Sequence, residues 1–592
     1  MKRATLLVAT ATLLTGCATA PRGEQVLYSD AARARDSTEA LAHFSSNLAA
    51  IHARDRAAYL EHYLQSPRLV RTGQAGAEYG FEGLAGGDPD SWPDTLVASQ
   101  LEVTPLAPGV VYGVYRYRVV DGGSQRGVSE RIFVRQRDGS WRIAVTTAFG
   151  SPGDRPVPPV AFTGATVIKG TGAPPLEGAS VVLRDGRIAC VGDCETGAGV
   201  HLIDASGKWI IPGLVDAHVH YSQTGWADGR PDASDVRDRF PYDSVIADLE
   251  ANPGRFHRSY LCSGVTAVLD AGGHPWTWGV REGAEGSTSA PHFSAAGPLL
   301  STIEHDVLNL PASQQIVFMA DQETTRETAR MVAAYRSDAI KVWGLEIPAE
   351  RETARERLAV AAEEARSAGI PLIVHATSLE SAKDALRMGA FMLVHSVEDT
   401  LVDAEFLELA RRAEVVYVPT LTVREGYVEL LARDFDEDQV PLECVDPETR
   451  RKAFLTDSLP PRPGLDLAAY RERAGRGYRT SLANLKLVHD AGVTVATGTD
   501  AGNPLTLHGP AIYHEMEAMA EAGLSPLEVL VASTRNGARA LGRDDFGTVE
   551  PGMIADLVVL DADPLADVRN LRRVRLVVRG GEVWSKQELA WR

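Results

Sequence analysis

Between residues 214 and 500, short and almost unbroken apolar runs keep returning, each followed by an amphipathic stretch. The runs are Leu214–His220, Val265–Ala271, His292–Gly297, Ala339–Trp343, Leu372–Thr377, Met392–Val397, Val415–Leu421 and Thr494–Asp500. Glu352–Ala368 and Ser378–Met388 read as helices between them. A strand that is apolar on both faces must be covered on both faces, which is the condition of a parallel sheet crossed by helices. Eight such strand–helix units over about 330 residues fit a (β/α)8 barrel, whose chemistry sits at the C-terminal ends of the strands. The expected class is therefore α/β.

The flanks carry other patterns. Val181–Ile188 and, far away, Ala555–Leu560 and Val574–Gly581 read as short strands with Gly turns. They predict one small β-sandwich built from residues 161–210 and 546–592, with the barrel spanning 211–545. Upstream, Ala40, Leu41, Phe44, Leu48 and Ile51 recur at helical spacing. Alternating strands around Val110–Tyr115, Arg131–Val134 and Trp141–Val145 follow, the last two joined through Asp138-Gly139. Helices followed by a curved antiparallel sheet over residues 36–150 resemble the nuclear transport factor 2/SnoaL-like cone, an α+β fold. Accessory binding or association is the role this implies. Segments 18–35 and 151–160 read as linkers.

Acidic residues (79) exceed basic ones (60), a net charge of −19, which argues against nucleic acid or a polybasic membrane surface as partner. Five cysteines in 592 residues exclude a disulfide-built scaffold. Lys2 and Arg3 precede an apolar stretch, Ala4 to Leu14, too short to span a bilayer. It ends in Leu14-Thr15-Gly16-Cys17, which resembles the lipobox of bacterial lipoproteins. That implies removal of the preceding residues as a signal peptide (1–17 with the lipobox) and acylation of Cys17. Ala18 stands where an Asp would resemble an inner-membrane retention signal, so the expectation is an outer-membrane lipid anchor with a periplasm-facing body. In that oxidising compartment Cys190 and Cys194 can pair across their turn or stay as small apolar thiols. Cys262 and Cys444 support no pairing from sequence alone.

His218 and His220 lie two apart at the end of the first strand, on one side of it, so both imidazoles can reach one ion. Lys341, His375, His395 and Asp500 fall at the ends of strands four, five, six and eight. Each interrupts an apolar run, where a polar group is costly unless paired or metal-bound. Alone, each has a plain reading as a satisfied interior residue or a cap; together they define one rim.

Ile211-Pro212-Gly213-Leu214-Val215-Asp216-Ala217-His218-Val219-His220 resembles the opening metal motif of the amidohydrolase superfamily. Gly264-Val265-Thr266, Thr497-Gly498-Thr499-Asp500 and the run Gly547–Leu557 match it as well. Lys341 narrows the resemblance to the imidazolonepropionase-like and Xaa-Pro dipeptidase branch. It implies two divalent ions, with Zn²⁺ expected: one held by His218, His220 and Asp500, the second by His375 and His395. Lys341, carboxylated by CO₂, would bridge them, with a single-metal site if it stays unmodified. Asp500 would then be general base and acid in hydrolysis of an amide such as a dipeptide or N-acyl amino acid.

Arg424, just past strand seven, can clamp a substrate carboxylate or form a surface ion pair with Glu425. Tyr221 and His508 are candidate substrate contacts, with packing or no role as the rivals; His274 has the same standing. Glu425–Asn484 is long for one connection and suggests a partly helical cover over the site. A cyclic-amide hydrolase like imidazolonepropionase, a lactone or ester hydrolase, and a non-catalytic ligand-binding lipoprotein are the alternatives. The expected partner is a small-molecule substrate, with a homo-oligomer left open.

Overall fold

A computed structural model describes residues 28–53, 55–73, 76–86, 96–120, 124–150, 159–197, 199–346 and 348–591. The signal segment with Cys17 and most of both linkers lie outside the described residues. The chain divides into two compact units, Met1–Asp154 and Arg155–Arg592.

In the first unit the helix Asp30–His52 begins inside the segment read as linker, because Ser29 caps it by accepting from the Ala32 N–H. A six-stranded sheet follows, in the order Gly76–Tyr79, Val70–Gly73, Trp141–Gly150, Ser124–Arg135, Val110–Val120, Leu96–Ala107. Gly139, at φ +86°, makes the turn between Ser124–Arg135 and Trp141–Gly150. Ala40 and Phe44, one helical turn apart, pack with Tyr63, Val111, Tyr115, Phe133 and Ile143 as the core.

The second unit is mixed α/β. Strands from both of its ends do pair: Trp209–Pro212 runs antiparallel to Leu557–Leu560. The result is one hydrogen-bonded sheet of eight strands rather than two separate sheets, curled over a core that includes Phe162, Val181, Ile188, Ile210, Leu557 and Val559.

The central strands are parallel throughout. Leu214–Val219 pairs Val265–Asp270, which pairs His292–Ala295. Leu299–Ser301 pairs Ile340–Trp343, followed by Leu372–His375, Met392–Val394, Val416–Val418 and Thr494–Val495. The expected third strand is broken: Gly297, at φ +65°, turns the chain where a Cβ would sit 2.3 Å from the Trp278 ring. An additional short strand, Ile316–Phe318, adds to Leu299–Ser301. The eighth strand is shorter than expected, since regular pairing stops at Val495. Backbone hydrogen bonds continue past it, from Ala217 N to Thr497 O (2.9 Å) and from Asp500 N to His218 O (2.7 Å). They place the end of the last strand against the end of the first. The long connection after strand seven is helical, with Val423–Ala432, Pro447–Ala453 and Leu467–Asp490.

Candidate metal centre

The six residues expected at the strand ends line one cavity of about 230 Å³. His218 and His220 leave the end of the first strand. Lys341 sits on the strand Ile340–Trp343, and His375 closes Leu372–His375. His395 and Asp500 stand just past their strands in the left-handed region, at φ +71° and +62°. Such backbone costs about 1–3 kcal/mol per residue and persists only where the surroundings impose it. Here they do, since His395 N donates to Val418 O (2.9 Å) and Asp500 N to His218 O.

Asp500 Oδ1 lies 2.9 Å from His220 Nε2 and 3.4 Å from His218 Nε2, and Oδ2 lies 3.9 Å from His395 Nε2. The His375 and His395 rings are 4.2 Å apart, and Lys341 Nζ is 3.5 Å from His218 Nε2. Ligand atoms of His218, His220 and Asp500 all lie within 4.8 Å of one another.

The hydrogen bonding fits a cation. His220 Nδ1 approaches the Gly272 carbonyl at 2.6 Å. A carbonyl only accepts, so Nδ1 carries the hydrogen, and in a ring with one hydrogen Nε2 keeps its lone pair. That lone pair faces Asp500 Oδ1, which is buried and makes no hydrogen bond. Two opposed acceptors at this distance suit a positive ion bonded to both, with the Gly272 carbonyl orienting the ring from behind. Thr420 Oγ1 similarly contacts His395 Nδ1 at 2.6 Å.

Burial holds the His218 and His375 rings well below their ordinary pKa and brings His395 down to about 3, so all three present lone pairs. Burial also pushes Lys341 down to about 7. No carboxylate among the described residues lies within ion-pair distance of its amine.

Beneath the rim, Asp216 accepts from Thr499 N (2.9 Å), Thr499 Oγ1 (2.7 Å) and His218 N (3.3 Å), tying the first strand to the last. Gly498 is demanded by space, since a Cβ there would stand 2.4 Å from Val418 Cγ1.

Arg424 lines the cavity, but its partner is Glu398 (Nε to Oε1 2.7 Å, Nη2 to Oε2 2.5 Å), not Glu425. That edge of the guanidinium is used, so a two-pronged clamp on a carboxylate would have to use the remaining Nη1/Nη2 edge. Tyr221 and His508, the candidate substrate contacts, do not line this cavity. Both are buried: Tyr221 is stacked on Tyr260 with its hydroxyl 3.1 Å from His257 Nδ1. His508 is held by Tyr260 Oη and the Gln223 carbonyl at 2.8 Å each. His274 is buried against Ser313 Oγ at 2.9 Å and stays outside as well.

Sequence reasoning missed Arg230, Tyr427 and Asn503, which line the same cavity. Arg230 is paired with Asp232 through Nε (2.8 Å) and Nη2 (2.7 Å), and its Nη1 donates to Asn503 Oδ1. Tyr427 Oη donates to the same oxygen (2.7 Å), and Asn503 Nδ2 donates to the Asp500 carbonyl (2.9 Å). Arg230 and Asn503 are loop residues with no periodic pattern, and nothing in the sequence says that Tyr427, on the helix Val423–Ala432, faces the cavity.

Residues 209–584 match the profile of the amidohydrolase family. The chain belongs to that family. Over 405 residues the amidohydrolase is 27% identical to a 5-methylthioadenosine/S-adenosylhomocysteine deaminase of Halobacterium salinarum, covering 65% of this chain and 80% of the relative. It is 25% identical over 451 residues to an imidazolonepropionase of Mycolicibacterium smegmatis, covering 70% and 93%. The crystal structure of a Xaa-Pro dipeptidase with bound methionine shares the fold at a TM-score of 0.54 and 21% identity, covering 72% of this chain and 100% of that one. The family typically uses divalent metal ions, and the His218–His220–Asp500 group is the corresponding cluster here.

Proposed function

We propose that this amidohydrolase is a binuclear metal-dependent hydrolase that cleaves the amide bond of a dipeptide, Xaa-Pro among the options, or of an N-acyl amino acid. The observation that carries the reading is the convergence of His218, His220, Lys341, His375, His395 and Asp500 on one cavity of about 230 Å³. That volume lies just below the range of about 300–1,000 Å³ for sites of drug-sized ligands and so points to a smaller substrate. In this reading the central strands close as a (β/α)8 barrel, consistent with the backbone bonds between its first and last strand ends. His218, His220 and Asp500 would hold one ion and His375 and His395 the other, with Zn²⁺ the expected metal. The Lys341 amine, kept neutral by burial, would add CO₂ to become a carbamate with release of a proton, giving the two anionic oxygens a bridge needs.

When bound, the ions supply Lewis acidity, lowering the pKa of water and polarising a carbonyl. Asp500 accepts the proton of the attacking water and returns it to the leaving nitrogen. Arg230 and Tyr427 hold Asn503, and Asn503 fixes the Asp500 backbone, so the carboxylate keeps its aim. Leu299, Ile316 and Trp343 offer apolar contact to the substrate, and the remaining Nη1/Nη2 edge of Arg424 offers donors to its carboxylate.

The N-terminal unit is read as a SnoaL-like accessory module and Cys17 as a lipid anchor to the outer membrane, with the body in the periplasm. The disulfides Cys190–Cys194 and Cys262–Cys444 support an oxidising compartment. Cyclic-amide opening is the second reading, favoured by the similarity to imidazolonepropionase.

A hydrolysis screen by mass spectrometry tests both, with dipeptides, N-acyl amino acids, cyclic amides, lactones and an aminopurine nucleoside. Turnover of a linear amide that falls about 10²–10⁴-fold in folded Asp500→Asn is the expected result. Turnover of a cyclic amide alone selects the second reading. No turnover by metal-loaded protein on any of them removes the amide reading.

A further inference from the structure

The first unit contains a buried cation with no counter-ion among the described residues. Arg131, on the strand Ser124–Arg135, is 4% exposed. Its Nη1 donates to Asn47 Oδ1 (2.5 Å) and its Nη2 to the Tyr115 hydroxyl (2.8 Å), both neutral acceptors. No carboxylate among the described residues pairs with it. Arg579, the other buried arginine among the described residues, contrasts with this, its Nη1 lying 3.7 Å from Asp556 Oδ1, and the half-buried Arg230 sits on Asp232. A buried charge without a partner is costly enough that folded proteins rarely keep one without a use for it.

Unused donors surround the charge. Arg131 Nε is buried with no acceptor, and so is Asn47 Nδ2. The orientation of the Asn47 amide is fixed, because a guanidinium only donates and must face Oδ1. The result is two orphan N–H groups beside one positive charge, walled by Phe44 and Tyr115, each ring centred 5.3 Å from the guanidinium carbon. The nearby His43 is not a second cation, since burial brings it down to about 4. One charge, planar donors and aromatic walls match a monoanion with a flat acceptor group and an apolar body, not a dianion such as phosphate.

We propose that Arg131 and Asn47 form a binding site for a small monocarboxylate in the N-terminal unit. It names a ligand class for the accessory module and does not rest on the hydrolase reading.

The test is calorimetric titration of the full-length, chelator-treated protein with propionate, with its neutral isostere propionamide and with inorganic phosphate. Propionate should bind saturably, and the two controls should not. Affinity should fall at least tenfold in Arg131→Met and in Asn47→Asp. The second variant places a carboxylate on Arg131 and so keeps the unit folded if the first does not. His218→Ala, altered only in the other unit, should bind propionate as the wild type does. Equal binding of propionamide, unchanged affinity in Asn47→Asp, or loss in His218→Ala instead would overturn the proposal.

Discussion

Lys341 shows how a single side chain can be read from its cost. An amine in the middle of Ile340–Trp343, buried and with no carboxylate within ion-pair distance among the described residues, has to be neutral or chemically altered. Replacing it with Ala should lower the metal content of the purified protein and the rate together, with partial recovery in short carboxylic acids that supply the lost oxygens. Metal analysis checks this; unchanged metal and rate would remove Lys341 as the bridge. His218, His220, His375, His395 and Asp500 were legible for the same reason, because each breaks an apolar strand at its end. Tyr221 directly follows His220 and His508 stands eight positions past Asp500, yet both turned into the aromatic packing around Phe256. Beyond the last strand residue there is no alternation left to say which way a side chain points.

At the scale of elements, the turn after Val416–Val418 is held from behind by Glu515 on the helix Ala511–Glu521. Its fully buried carboxyl accepts from Leu421 N (2.7 Å), Thr422 N (3.1 Å) and Thr422 Oγ1 (3.1 Å), which keeps Thr420 against His395. Burial pushes Glu515 from 4.5 up to about 7. The folded state therefore binds a proton that the unfolded chain has released, and stability falls as pH rises from about 4.5 to 7. Glu515→Gln should flatten that slope in denaturant titrations at pH 5 and 7. It should also cost about 1–3 kcal/mol if the amide fails to serve the three donors. An unchanged slope would show that this carboxyl does not titrate there. The periodicity predicted the strand and helix, but nothing in the sequence joined Glu515 to a turn more than 90 positions away. The broken third strand was hidden likewise, because the clash at Gly297 comes from Trp278 on another element.

Over the whole molecule, the disulfides divide by reach. Cys262–Cys444 joins positions 182 apart, Cys190–Cys194 positions 4 apart. Since a cross-link acts largely by restricting the unfolded chain, removing the long one by Cys262→Ser/Cys444→Ser should cost roughly 3 kcal/mol more than removing the short one. Paired denaturation curves measure the difference, and equal losses would contradict the chain-entropy account. The sequence by itself determined what depends on period and composition: the strand–helix alternation, the union of the two flanks and the polar residues that end the central strands. Those signals are local, written in neighbours two or four residues apart. Tertiary structure alone decided which side chains beyond the strands enter the cavity, that Arg424 is already engaged by Glu398, that Cys262 meets Cys444, and that Arg131 is buried with no counter-ion among the described residues. Each of these is a distance between segments far apart in the chain, and packing, not pattern, sets such distances.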